Sequence, residues 1–367
     1  MRTTVPFGDA KAVKRWSASL FYETLKKSYF ERKFISTSDN AVIQRLTDLE
    51  SGPGDTVDYD LSVQLRGRPT YGDERVEGKE ESLKFYSDQV VIDQLRHSVS
   101  AGGRMTRKRT SHNLRKTGRD RLSDYWAKFF DEMFFIYLSG ARGINEDFIE
   151  SEDWTGHAGN SIQAPDSQHI VYGGDAVSKA TIVAADVMTR SVIERAAVKA
   201  RMMRALDPTA ANMLPVQVGG EGHYVTVMSP FQEHDLRVSS DTGGWLEIQK
   251  AAAAAEGRSN PIFKGGLGMI NNVVLHSHES VIRFNDYGTG SDVDAGRALF
   301  MGRQAGVIAY GTKGGLRMDW KEELKDYGNE PTVASGTIVG VKKTRFNSKD
   351  FGILALDTAA ADPNATA

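Results

Sequence analysis

Residues 56–95 read TVDYDLSVQLRGRPTYGDERVEGKEESLKFYSDQVVIDQL. Val57, Tyr59, Leu61, Val63 and Leu65 alternate with Thr56, Asp58, Asp60, Ser62 and Gln64. That period of two predicts a half-buried strand. The run from Leu83 to Leu95, with Phe85, Tyr86, Val90, Val91 and Ile92, supplies its partner. Between them lie seventeen residues, Arg66 to Ser82, in which Arg66, Arg68, Arg75 and Lys79 are set against Asp73, Glu74, Glu77, Glu80 and Glu81. Gly67, Pro69, Gly72 and Gly78 interrupt the charges. Hairpin loops ordinarily take about two to five residues, and an isolated two-stranded ribbon is marginal in water. The arm is therefore either loose or held by another chain.

The rest of the composition narrows the function classes. A chain of 367 residues can bury a sizeable core, and its length suggests about two to three domains. It has no cysteine, which excludes disulfides, thiolate metal sites and cysteine nucleophiles, and fits assembly in a reducing compartment. A net charge of -2 offers no global field toward nucleic acid or membrane. No apolar run approaches the ~18 residues of a spanning helix. The N-terminal stretch MRTTVPFGDAKAVKRWSASLFYETLKK has no apolar signal-peptide core.

Along the chain, Trp16, Leu20, Tyr22, Leu25, Tyr29 and Phe30 give a helical stripe around 18–32, and SGPGD at 51–55 marks a turn. Residues 110–139 carry the strongest helical pattern, through Leu114, Leu122, Trp126, Phe129, Met133 and Tyr137. Thr110 or Ser111 is the expected N-cap and Gly140 the expected glycine stop. Residues 140–175 read as loop, 178–204 as helix, 224–228 as strand and 244–256 as helix. MINNVVLHSHESVIRF suggests two strands. Residues 298–310 fit a helix or a buried strand, and TVASGTIVGVKKTRF and FGILALDT read as terminal strands before a frayed tail.

Candidate chemistry is sparse. GGLG at 265–268 lacks the spacing and following helix of a phosphate loop and reads as a tight turn. His276 and His278 of HSHE would share a strand face, but two imidazoles are too few for a metal site, so exposed strand histidines are expected. No G-x-S-x-G occurs, and Asp58/Asp60 and Asp292/Asp294 read as solvated charge. No catalytic residue, metal or cofactor is expected. From Arg96 to Arg121 there are nine cations, among them Arg104, Arg107, Lys108, Arg109, Arg115, Lys116 and Arg119, with only Asp120 opposing. They suit inter-subunit pairing, for instance with Glu74, Glu77, Glu80 and Glu81 of a neighbour. They also suit nucleic-acid backbone contact, or plain solvation.

The order of parts resembles the HK97-like α+β fold of tailed-phage major capsid proteins. Narrower matches to the podophage-type capsid family are VEGKEE, LKFYSDQVVIDQLRHSV, RDRLSDYWAKFFDEMFFIYLSG, YVTVMSPFQEHDLR, NPIFKGGLGMINNVVLH, ALFMGRQAGVIAYG and GTIVGVKKTRFNSKDFGILAL, spanning about Val42 to Asp357. The resemblance implies an N-terminal arm (1–54), an E-loop hairpin (55–96), a P-domain with a long spine helix (97–205), an A-domain (206–330), and return strands with a tail (331–367). It implies no active site. It implies hexamers and pentamers in an icosahedral shell around double-stranded DNA, weak backbone contacts to that DNA, no membrane, a separate scaffold and a portal, with assembly in the host cytoplasm, and it leaves open whether a decoration protein is present. The alternatives are a nucleic-acid-binding protein using residues 96–121 and a metal-dependent enzyme around His276 and His278.

Overall fold

The computed structural model describes residues 27–50, 52–62, 65, 67–206, 211–239, 261–263, 266–311 and 319–364. The expected helix over 244–256, most of that over 18–32, and Arg66 lie outside these residues.

In chain order, helix α1 (Tyr29–Lys33) leads into β1 (Ile35–Ser36) and β2 (Ile43–Leu46). Strands β3 (Thr56–Ser62) and β4 (Phe85–Val91) form the ribbon, and β5 (Asp93–Ser100) follows directly. Helices α2 (Arg104–Arg109) and α3 (Leu114–Ser139) come next, then β6 (Ile170–Tyr172) and α4 (Arg190–Leu206). Strands β7 (Val216–Val218) and β8 (Glu221–Met228) precede α5 (Pro230–Ser239). The remainder is strand: β9 (Gly268–Ile270), β10 (Val273–Ser277), β11 (Arg283–Tyr287), β12 (Val293–Met301), β13 (Gly306–Tyr310), β14 (Asp319–Lys325), β15 (Glu330–Lys343), β16 (Arg345–Phe346), β17 (Lys349–Asp350) and β18 (Ile353–Ala359).

Two sheets carry the body. The first runs β1-β2-β13-β15-β14, with β5 also paired to the long β15. The second runs β6-β18-β12-β8-β10-β9, with β11 on β12 and β7 on β8. Helix α3 lies along β5 and β15 and reaches β12, while α4 covers β6, β9 and β18. The second sheet is buried on both faces, and its side chains sort by strand parity. Val225, Val227, Leu299 and Met301 join Trp126, Phe130, Met133 and Phe134 of α3 in one core. Tyr224, Met228, Ala298, Phe300, Leu354 and Leu356 face Val192, Ile193, Ala196 and Met203 of α4 in another. Burial on both faces explains why these strands read as continuous apolar runs. It also settles residues 298–310 as strand, divided between β12 and β13.

Three local expectations are corrected. The long helix starts at Leu114, capped by Asn113, whose side chain accepts the Lys116 N–H at 3.1 Å. Thr110 stands instead in extended conformation as the C-cap of the separate α2. The helix expected from Ser178 begins only at Arg190. Before it, the Asp186 carboxylate takes the Val183 N–H at 2.9 Å, a local bond that competes with helix. His276 is fully buried rather than exposed, and its Nε2 meets the Ile262 carbonyl oxygen at 2.8 Å. The glycine stop of α3 stands as expected, with Gly140 at φ 70° and its N–H donating to the Ile136 carbonyl.

Candidate assembly surfaces

The ribbon has an anchored root and an exposed upper half. Strands β3 and β4 pair in register from Thr56 opposite Val91 to Ser62 opposite Phe85. At the root, Val57, Val90 and Ile92 are buried against Val307 and Ala309 of β13. Asp88 accepts the Tyr59 hydroxyl at 2.7 Å and pairs with Lys342 of β15, whose ammonium also donates to the Gln89 carbonyl at 2.9 Å. The Asn160 carboxamide engages both backbone polar atoms of Val91. The carbonyl of Asn160 accepts the Tyr137 hydroxyl at 2.9 Å, and that hydroxyl accepts the His157 N–H at 2.6 Å. A continuous set of contacts therefore runs from the last turn of α3 to the base of the ribbon.

Beyond Ser62 the described residues of the finger are largely exposed. Leu65, Tyr71, Val76, Leu83 and Phe85 are each about three-fifths to three-quarters exposed, which is unusual for five large apolar side chains on one hairpin. Arg68, Asp73, Glu74, Arg75, Glu77, Lys79, Glu80 and Glu81 are all exposed. Several of their contacts lie inside the finger. Lys79 pairs with Glu74 at 2.6 Å, Glu81 takes the Gly67 N–H, and Glu80 takes the Gly78 N–H at 2.8 Å. Gly72 at φ 58° and Gly78 at φ 85° occupy turn conformations that a side chain would strain.

The basic segment divides into engaged and displayed cations. Arg115 pairs with Glu322 of β14, Arg119 with Asp120 at 3.4 Å, and Arg121 with Asp124 at 3.6 Å. Arg107 donates to the Asn329 carbonyl at 2.9 Å. Arg104, Lys108, Arg109 and Lys116 are exposed. Among the described residues, Arg115, Arg119 and Arg121 thus meet Glu322, Asp120 and Asp124 of their own chain.

A third buried cluster fixes the N-terminal segment. Asp131 of α3 accepts the Ser28 hydroxyl at 2.8 Å and the N–H groups of Tyr29 at 2.8 Å and Phe30 at 3.1 Å. Burial pushes its carboxyl up to about 6, against the pull of those three bonds. Burial pushes Glu31 up to about 7, opposed by nearby Arg45. Tyr29 lies 4.6 Å from the His278 ring, centroid to centroid. Burial, with Lys33 close by, lowers both His276 and His278 to about 4. Among the described residues no group of three or more His, Cys, Asp or Glu is placed to hold a metal ion.

Residues 4–362 match the family described as phage capsid protein. The chain belongs to that family. It is 67% identical to the capsid structure of Ralstonia phage GP4, with both chains fully covered and a TM-score of 0.89. It is 26% identical over 373 residues to the major capsid protein of Pseudomonas phage KPP25, covering 94% of each. The capsid of cyanophage Pam1 shares the fold at 22% identity and a TM-score of 0.71, covering 92% of this chain and 93% of that one. This capsid protein is thus a virion structural component, a major capsid protein that forms the phage shell on an HK97-like fold. Its family is a structural one rather than an enzyme class. The comparisons lend no support to the nucleic-acid-binding alternative.

Sequence reasoning located the finger and the basic segment but missed Asn160, His157 and Lys342, which hold the finger's root. The available signal for Asn160 was only a polar residue in a glycine-rich loop. Its partner Val91 lies 69 positions away in the chain.

Proposed function

We propose that this capsid protein builds an icosahedral shell of hexamers and pentamers around double-stranded DNA, each subunit laying its finger on the body of the next. The supporting observation is the contrast within one hairpin: a root clamped to its own subunit and an upper half presenting five exposed apolar side chains. Covering such side chains is worth up to about 1.5–3 kcal/mol each as bookkeeping against water, before the cost of association. Stable interfaces bury about 1,200–2,000 Å², a scale that a finger of this length can contribute to. In this reading residues 1–54 are the arm, 55–96 the E-loop, 97–205 the P-domain, 206–330 the A-domain and 331–367 the return strands and tail. Arg68, Asp73, Glu74, Arg75, Glu77, Lys79, Glu80 and Glu81, with Arg66, form the inter-subunit rim and set register more than affinity. Assembly takes place in the host cytoplasm with a separate scaffold and a portal.

The test is expression of the full chain beside a variant in which residues 66–82 are replaced by Asn-Gly. Negative-stain microscopy is expected to show shells, tubes or capsomers for the first. The second should melt at the same temperature and remain monomeric by light scattering. A shortened variant that assembles normally would overturn the role given to the finger.

A further inference from the structure

Strand β15 ends at Lys343, and the β16–β17 hairpin brings Asp350 back beside it. The Lys343 nitrogen lies 2.8 Å from Asp350 Oδ2. Both side chains are almost wholly withdrawn from water, at 3% and 1% exposure. On the other carboxyl oxygen, Arg345 Nε stands 3.1 Å from Oδ1. Taking two charges out of water is costly, and their attraction repays that cost only when the geometry is excellent. Burial lowers the Lys343 amine, against the pull of Asp350, and raises the Asp350 carboxyl, against the pull of Lys343. Both shifts run toward an uncharged amine beside an uncharged acid.

The surroundings hold the pair still. Arg345 is opposite Asp350 across the hairpin, whose turn residues Asn347 and Ser348 stand at φ 52° and 60°. A two-residue turn of this hand fixes the register of its strands. The Asp350 N–H donates to Asp166 Oδ2 at 2.8 Å, and the same oxygen meets His169 Nδ1 at 2.8 Å. The Phe351 N–H donates to the Thr344 carbonyl at 3.2 Å, and the Phe351 ring packs edge to face on Phe346. A desolvated lysine amine is a nucleophile, and held pairs react from roughly 3–3.5 Å. A guanidinium already seated on one carboxyl oxygen stabilises charge that gathers there during attack.

We propose that Lys343 and Asp350 join within one chain through an isopeptide bond. The Lys343 nitrogen attacks Asp350 Cγ, and an N–C bond forms. Negative charge collects on Oδ1, beside Arg345. The Cγ–Oδ2 bond then breaks. An ammonium and a carboxylate enter the step, and the two protons that the nitrogen sheds leave with Oδ2 as water. The product is a neutral secondary amide, with no oxidant, reductant or further reactant consumed. The bond sits beside the root of the finger, where the Arg345 N–H meets Asp88 Oδ2 at 3.4 Å and the Phe346 and Tyr59 ring centroids are 5.9 Å apart. It closes the platform on which that root stands. Because both partners belong to one chain, the inference does not depend on the shell reading.

The experiment is intact-mass spectrometry of the purified, denatured full chain, followed by chymotryptic mapping. The wild-type mass is expected to be lower than the sequence mass by one water. Chymotryptic cleavage after Phe346 separates Lys343 from Asp350 in the backbone, so the two fragments should remain joined. Lys343→Met should show its full mass and fragments that part. A wild-type chain at full mass would overturn the bond and leave a buried ion pair only. A missing water with fragments that part, as ring closure of an aspartate onto its own backbone would give, would overturn it equally.

Discussion

The carboxamide of Asn160 pairs with Val91 as a strand would, Oδ1 taking the N–H at 3.0 Å and Nδ2 giving to the carbonyl at 2.7 Å. It covers the edge of β4 at the point where the finger leaves the body, and so fixes the angle at which the finger departs.

Asn160→Ala should therefore cost about 1–3 kcal/mol, the worth of two bonds at a half-buried backbone site. The larger effect is expected in assembly, because the finger loses its fixed direction. Limited proteolysis of the free subunit should cut faster within 62–85 in the variant, and an unchanged cleavage rate would count against the clamp.

Arg297 and Asp357 form a buried pair across β12 and β18, with Nε to Oδ1 at 2.7 Å and Nη2 to Oδ2 at 2.8 Å. The same guanidinium donates to the Ser139 carbonyl at 3.0 Å, at the C-terminal end of α3. Arg297→Met leaves Asp357 buried without its cation and should cost about 3–5 kcal/mol. Arg297→Met with Asp357→Leu should recover much of that loss, as seen by chemical denaturation.

His276 makes an acid-sensitive contribution. Its folded pKa of about 4 lies below the ordinary 6.5, so the unfolded chain binds more protons between these values. Its contribution is fully present above pH 6.5 and is lost as pH falls toward 4. Asp131 and Glu31, raised to about 6 and about 7, act in the opposite direction over much of the same range. The informative quantity is thus the difference between variant and wild type. His276→Gln should lower the melting temperature at pH 7.5, and that deficit should shrink steadily toward pH 4.5.

Gly140→Ala should destabilise by at least about 2 kcal/mol, since it combines a left-handed backbone with steric conflict. An added Cβ there would lie 2.1 Å from the Gln163 carbonyl oxygen. Thermal melting of the free subunit checks this directly.

Neutralising Lys108 and Arg109 together should leave the fold intact, weaken assembly and make it less sensitive to salt. Loss of packaged DNA from otherwise intact shells would instead assign this face to the genome.

How far these features were legible depended on how local their causes are. Gly140 was readable because a left-handed stop follows directly from the end of an apolar helical stripe. Asn113 was not, because Thr110, Ser111 and Asn113 are all good caps, and the choice fell to Asn113 once α2 had claimed Thr110 as its own end. The finger showed its period of two in β3, where one face is half-buried, whereas β12 and β13 hid theirs under burial on both sides. The alternation in HSHE suggested a solvated face, but α1 packs over that strand from more than two hundred residues earlier in the sequence.

Strand β18, the last strand in chain order among the described residues, sits between β6 and β12 in the interior of the second sheet. While a ribosome is still short of residue 359, that slot stands open and the flanking strands keep unpaired edges. Partly made chains therefore present a gap where finished ones present a closed surface.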